Sequence, residues 1–211
     1  MNKIEIKKQY TSSGAQIKGF FIDDLPLYKY INEWITGKVD IPQSISPAED
    51  LVISWTNSYD HEGDVEFMRY ILNQNNAITP ILTCPDDLDF SCIVIVAEVF
   101  KQNDKVIWRR IGRVDHTAES FDQEKLSGIL CLEAYTDEDR LRYGDNIALA
   151  NVDSPEWCKW IGENWNEELY RRRVNYTFPY YQNQENIEWF ATCNWEFDKR
   201  EYDYLVESCY K

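Results

Sequence analysis

The sequence lacks most of the patterns that tie a chain to a known chemistry. It has two histidines, His61 and His116, and no C-x-x-C pair among its six cysteines, so a zinc centre would have to draw on scattered thiols. There is no phosphate-binding G-x-x-x-x-G-K, no G-x-G-x-x-G, no H-E-x-x-H and no glycine-rich nucleophile elbow. No apolar run approaches the roughly 20 residues that cross a bilayer. The opening MNKIEIKKQY has neither the apolar stretch nor the small-residue cleavage site of a secretory signal. These absences argue against nucleotide-loop, metalloprotease and membrane-spanning classes. They lead to the expectation of a cytoplasmic protein with reduced thiols, no metal and no cofactor.

Positive charge is also scarce. Lys and Arg number 22 against 37 Asp and Glu, for a net charge of −15. The imbalance is spread along the chain, with 9 basic against 16 acidic residues up to position 105 and 13 against 21 beyond it. Such a field repels phosphate backbones and disfavours general nucleic-acid binding; it suits solubility or a basic protein partner. The two arginine clusters, Arg109, Arg110, Arg113 and Arg171, Arg172, Arg173, are expected to pair with the chain's own acids. Aromatic residues are plentiful, with 8 Trp, 14 Tyr and 9 Phe, which argues for a folded core.

The length fits one domain of class α+β, a mainly antiparallel sheet with packed helices. Ile4–Tyr10 and Gln16–Ile22 read as strands joined by the turn TSSG. Leu27, Tyr28, Ile31, Trp34 and Ile35 recur at helical spacing, with Asp23 or Asp24 as cap; residues 37–46 read as a loop. A short strand is expected at 51–55 and a helix over 64–73 with Val65, Met68, Ile71 and Leu72 inward. Three strand-like runs lie between Ile78 and Arg113, and 91–111 reads as the hairpin at the centre of the sheet. A further strand is expected at 128–135 and a short helix opened by Thr136. Ser154 and Pro155 start another helix to about 172, and Asp198 caps a last one from 199 to 209.

Two segments stand out as candidate sites. Cys84, Asp86, Asp87, Asp89 and Cys92 lie on one loop between strand-like runs, and His116 follows the returning strand. Clustered carboxylates suit a hard cation and an exposed thiol suits a nucleophile, although Pro-Asp-Asp is ordinary turn composition and an acidic setting disfavours a thiolate. The second segment, NYTFPYYQNQ, carries Tyr176, Phe178, Tyr180 and Tyr181 as candidate partner-binding residues. Its Pro, Asn and Gln favour a loop or edge, and such aromatics bury area with few rotors.

The segment CPDDLDFSC, followed by IVIVAEV, a turn and VIWRRIG, resembles an uncharacterised bacterial family with a C-P-x-C-x-D-x-x-C loop ahead of a V-x-W strand. FDKREY near the end is similar to that family's closing F-D-x-x-x-Y. Asp87 stands where the family loop has a further cysteine, which removes one ligand from any shared metal role. The resemblance implies the hairpin architecture and no activity. The leading expectation is a non-catalytic acidic binding module, similar in type to immunity proteins whose acids oppose a basic nuclease. The alternative is a hydrolase or small-ligand-binding protein using the Cys84–Asp89 loop with His116.

Overall fold

The computed structural model describes residues 1–36, 47–86, 90, 92–115, 135–143, 159 and 162–211. The first hairpin follows from alternation and one glycine. Strands β1 (Ile4–Tyr10) and β2 (Gln16–Ile22) pair antiparallel, with Ile4 opposite Ile22 and Tyr10 opposite Gln16. Gly14 closes the turn at φ 84°, a left-handed backbone that costs glycine little. A short strand β3 (Leu25–Pro26) adds to β2 and leads into helix α1 (Leu27–Ile35). Asp23 and Asp24 do not cap that helix. They occupy the β2–β3 turn at φ 49° and 67°, where Asp23 accepts from the Lys3 amide and Asp24 pairs with Lys7. Pro26, which has no amide to donate, takes the cap position.

The second sheet has the order β4-β5-β6-β7-β8 and is antiparallel throughout. Its strands are β4 (Val52–Ile53), β5 (Asn76–Thr83), β6 (Val94–Lys101), β7 (Lys105–Val114) and β8 (Ile187–Asp198). The expected hairpin lies at its centre: Val94, Ile95, Val96 and Ala97 of β6 are consecutive and all fully enclosed. Both faces of that strand are therefore covered. Helix α2 (Glu62–Leu72) and helix α6 (Lys199–Ser208) also form as expected, the latter capped by Asp198, which accepts from the Arg200 and Glu201 amides. In helix α3 (Asp137–Tyr143), Thr136 Oγ1 accepts from the Asp139 amide while the Asp139 carboxylate accepts from the Thr136 amide, a reciprocal cap.

Trp108 of β7 is the hub of one packing region. Its ring lies edge-on to Phe20 at 5.7 Å, Trp55 at 6.0 Å and Phe197 at 5.4 Å, and its indole N–H donates to the Tyr202 hydroxyl at 3.2 Å. Val106 and Trp108 are the V-x-W pair, and Phe197, Asp198 and Tyr202 the F-D-x-x-x-Y set, noted in the sequence. They join β7, β8 and α6, so those motifs are structural.

Two elements depart from expectation. β8 was not anticipated. Helix α4 (Trp165–Arg172) ends where expected, but the segment expected as loop or edge is helical: α4 runs through a π turn (Arg173–Thr177) into helix α5 (Phe178–Gln182). Pro179 gives the reason, because it cannot donate to an i−4 carbonyl and its ring would clash there; the widened turn relieves both. The loop at 37–46, the strand at 128–135 apart from its last residue, Tyr135, and the helix start at Ser154 lie outside the described residues. Among the described residues, no helix is long and apolar enough to cross a membrane.

Candidate functional site

The densest chemistry in the described residues is a buried layer of charge where α2, α4 and the π turn meet. Arg171, Arg172 and Arg173 are consecutive, and all three are buried. Helical spacing puts Glu168 three and four residues ahead of the first two, and it accepts from Arg171 Nη1 at 2.9 Å and from Arg172 Nε at 2.9 Å. Arg171 also pairs with Asp139 of α3 at 3.1 Å. Arg173 points the other way and donates to Asp64 of α2 at 2.7 Å. Each guanidinium also faces an aromatic ring: Tyr135 for Arg171 at 4.3 Å, Trp165 for Arg172 at 5.3 Å and Phe90 for Arg173 at 5.3 Å.

This pairing is what makes burial tolerable. A lone buried ion costs several kcal/mol, whereas a paired one with satisfied hydrogen bonds recovers most of that. Glu168 has no exposed surface and also accepts from the Tyr135 hydroxyl. Burial and that carboxylate together push the Tyr135 phenol far up, so it stays a donor. Burial alone would raise the Asp139 carboxyl, but its bonds from Thr136 and Arg171 outweigh this and hold it below the ordinary range. The arginines are thereby committed to the fold.

A polar groove of about 470 Å³ adjoins this layer, lined by Asp60, His61, Glu163, Trp165 and Glu167 among others. His61 packs edge-on to Trp165 at 5.9 Å. Glu163 pairs with exposed Lys159 at 3.7 Å, a surface pair that holds charge weakly, while Glu167 pairs with Arg142 at 3.0 Å and lies 4.0 Å from buried Arg171.

A second ionic cluster sits on the central sheet. The register between β6 and β7 shifts between Ala97 and Val99, so Arg109 and Arg110 both stand against Glu98. Arg109 donates twice to Glu98, at 2.8 and 3.0 Å, and Arg110 once at 2.7 Å. Burial pushes the Glu98 carboxyl up, yet Arg110 and Arg109 hold it below its ordinary value. Arg113 pairs with Glu188 at 2.7 Å. Both arginine clusters thus meet the chain's own acids, as the sequence implied.

The candidates from sequence separate. Cys84 is buried, with its amide bonded to the Ile93 carbonyl; Asp86 is exposed and Cys92 half-buried. Asp87, Asp89 and His116 lie outside the described residues. Among the described residues, no group of three metal-ligating side chains comes together. What anchors the loop is Phe90, enclosed between Tyr59, Phe67 and Arg173. Tyr181 is fully enclosed and its hydroxyl donates to the Phe90 carbonyl at 3.4 Å, so it belongs to the core and not to a contact surface. Tyr180 is half-buried and donates to the Asp115 carbonyl at 2.6 Å; Phe178 packs edge-on to Tyr70, and Tyr176 is half-buried. The two sequence candidates therefore touch each other, through Tyr181 and Phe90.

Asp64, Glu168 and Trp165 were not singled out as site residues. The signal for Glu168 was its i, i+3 and i, i+4 spacing to two arginines. Asp64, 109 residues from Arg173, left no local signal. Compared with known protein families, curated proteins and solved structures, the chain matches none. Its function has to be argued from its own residues.

Proposed function

We propose that the protein is a non-catalytic binding module of the cytoplasm that engages a basic protein partner and has no general affinity for nucleic acid. The observation that carries this reading is the inward turn of Arg171, Arg172 and Arg173, each paired to a carboxylate within the fold. Cations buried in this way are unavailable to an anionic partner, and the chain's excess of 15 acids is carried outside this layer. The groove then offers the carboxylates of Asp60 and Glu163 beside the Trp165 ring, the combination that suits an incoming Lys or Arg side chain. Spread negative charge accelerates encounter with a cationic partner, and aromatic contact slows departure. Support against a thiol enzyme built on the Cys84 loop comes from Cys84 itself, which is buried and does not line the groove described above.

The test begins with affinity recovery of a stoichiometric partner from source cells, followed by binding kinetics with that partner. Association is expected to slow steeply as salt rises, through screening. Trp165→Ala is expected to act mainly on dissociation, accelerating it about tenfold or more. Salt-independent association, or turnover of a small molecule that is lost in Cys84→Ala with no partner recovered, would reject the reading.

A further inference from the structure

A separate groove of about 390 Å³ lies between the first hairpin and β4, walled by Ile6, Ile17, Val52, Ile53 and Trp55. Its size falls in the range of roughly 300 to 1,000 Å³ typical of small-molecule sites. Thr56, Ser58 and Ser208 bring hydroxyls to it, and Lys18 is the single charged residue in its lining. Lys8 stands directly opposite Lys18 in the β1–β2 register, and alternation puts it in the same row as Ile4 and Ile6. Both lysines are exposed, and among the described residues neither makes an ion pair or a side-chain hydrogen bond.

That arrangement is unusual for this chain. The neighbouring Lys3 and Lys7 are paired to Glu5 and Asp24, and acids outnumber bases 37 to 22. Like charges directly opposite on an antiparallel pair repel and destabilise the hairpin. Here Lys18 lines a largely apolar cleft with no carboxylate in its lining, and Lys8 stands across the strand pair from it. A ligand with an apolar body and one anionic head would fill the cleft and relieve the repulsion together.

We propose that this groove binds a small apolar carboxylate, with the chain lying along Ile6, Ile17 and Val52 and the carboxylate held between Lys18 and Lys8. The site is independent of the acidic groove beside Trp165, and the two readings can fail separately.

The probe is decanoate, titrated calorimetrically into the full chain below its micelle concentration, with decanamide as the uncharged match. Saturable binding of one decanoate per chain is expected, with methyl shifts at Ile6, Ile17 and Val52 in NMR spectra. The double variant Lys8→Gln/Lys18→Gln is expected to bind decanoate about tenfold or more weakly, the scale of a lost charge-assisted hydrogen bond. Decanamide should bind wild type and double variant alike. Because the substitutions remove repulsion, the ligand-free double variant should melt no lower than wild type, which separates lost binding from lost folding. Absence of saturable binding, equal decanoate affinity in the double variant, equal affinity of wild type for decanamide and decanoate, or shifts confined to other residues would each overturn the proposal. Binding of a peptide with an apolar C-terminus, where decanoate does not bind, would overturn it too.

Discussion

The joint around Trp108 and the layer around Glu168 are both buried, yet they are held by different physics. Around Trp108, five aromatic side chains meet edge-on or stacked, and two hydrogen bonds, from the Trp108 indole to Tyr202 and from the Trp55 indole to the Pro80 carbonyl, satisfy the polar atoms. Its stability comes from area removed from water and from close packing, which depend on shape. Around Glu168, three guanidiniums and the carboxylates of Glu168 and Asp64 are enclosed, with half-buried Asp139 beside them, and the enclosed groups depend on their neighbours for the solvation that water no longer gives. A vacancy in the first region is a cavity; a vacancy in the second is an uncompensated charge. Because the acids and bases of the second region nearly balance, the chain's net charge of −15 is carried by the rest of the molecule.

The largest effect is expected in the aromatic joint. Trp108→Ala removes the hub of that cluster and is expected to cost about 3–5 kcal/mol, visible as a large drop in the denaturant midpoint. An unchanged midpoint would show that Trp108 is not the shared contact of β7, β8 and α6.

A smaller, pH-dependent effect is expected at Glu98. Its folded carboxyl lies below the ordinary value of 4.5, because Arg110 and Arg109 outweigh burial. A depressed carboxyl stabilises the fold fully above its unfolded value and loses that contribution as pH falls through the folded one. Wild type should therefore lose stability more steeply than Glu98→Gln as pH drops below 4.5. Parallel pH profiles for the two proteins would contradict the pairing.

The smallest effect concerns the outer edge of β5. The Gln182 side chain accepts from the Ile78 amide at 2.8 Å and donates to the Ile78 carbonyl at 3.1 Å, so one side chain stands in for a strand. Pro80 has no amide to leave unpaired, and its carbonyl accepts from Trp55 Nε1 at 2.9 Å. Gln182→Ala is expected to cost about 1 kcal/mol and to speed hydrogen exchange at Ile78. Unaltered exchange there would show the edge is protected by something else.

Where one segment carried its own pattern, the sequence was enough. The bounds of β1 and β2, the caps at Asp198 and Thr136, and the β6–β7 hairpin all follow from local alternation or spacing. β8 carried the same kind of signal, with Ile187, Trp189, Ala191, Cys193, Trp195 and Phe197 at every second position, but Phe190 interrupts the alternation and Asn194 takes φ 50° within the strand. The π turn was hidden because Pro179 suggests a break, and only the packed structure shows the helix widening to pass it. The arginine layer was legible in kind and not in detail: pairing with the chain's own acids was expected, yet Asp64 meets Arg173 only through tertiary packing. The exposure of the tyrosines was illegible for the same reason, since Tyr180 and Tyr181 are adjacent in sequence and only Tyr181 is fully enclosed.

The most direct test of the paired-charge layer is a double-mutant cycle on Glu168 and Arg172, using Glu168→Gln, Arg172→Met and the pair, with stability measured by denaturant unfolding. Each single substitution strands a buried partner and is expected to cost about 3 kcal/mol or more. The double substitution should cost less than the sum by about 2 kcal/mol or more, since it strands fewer charges. Additivity within about 0.5 kcal/mol would contradict the layer as described, and with it the inward commitment of the arginines on which the proposed acidic binding surface rests.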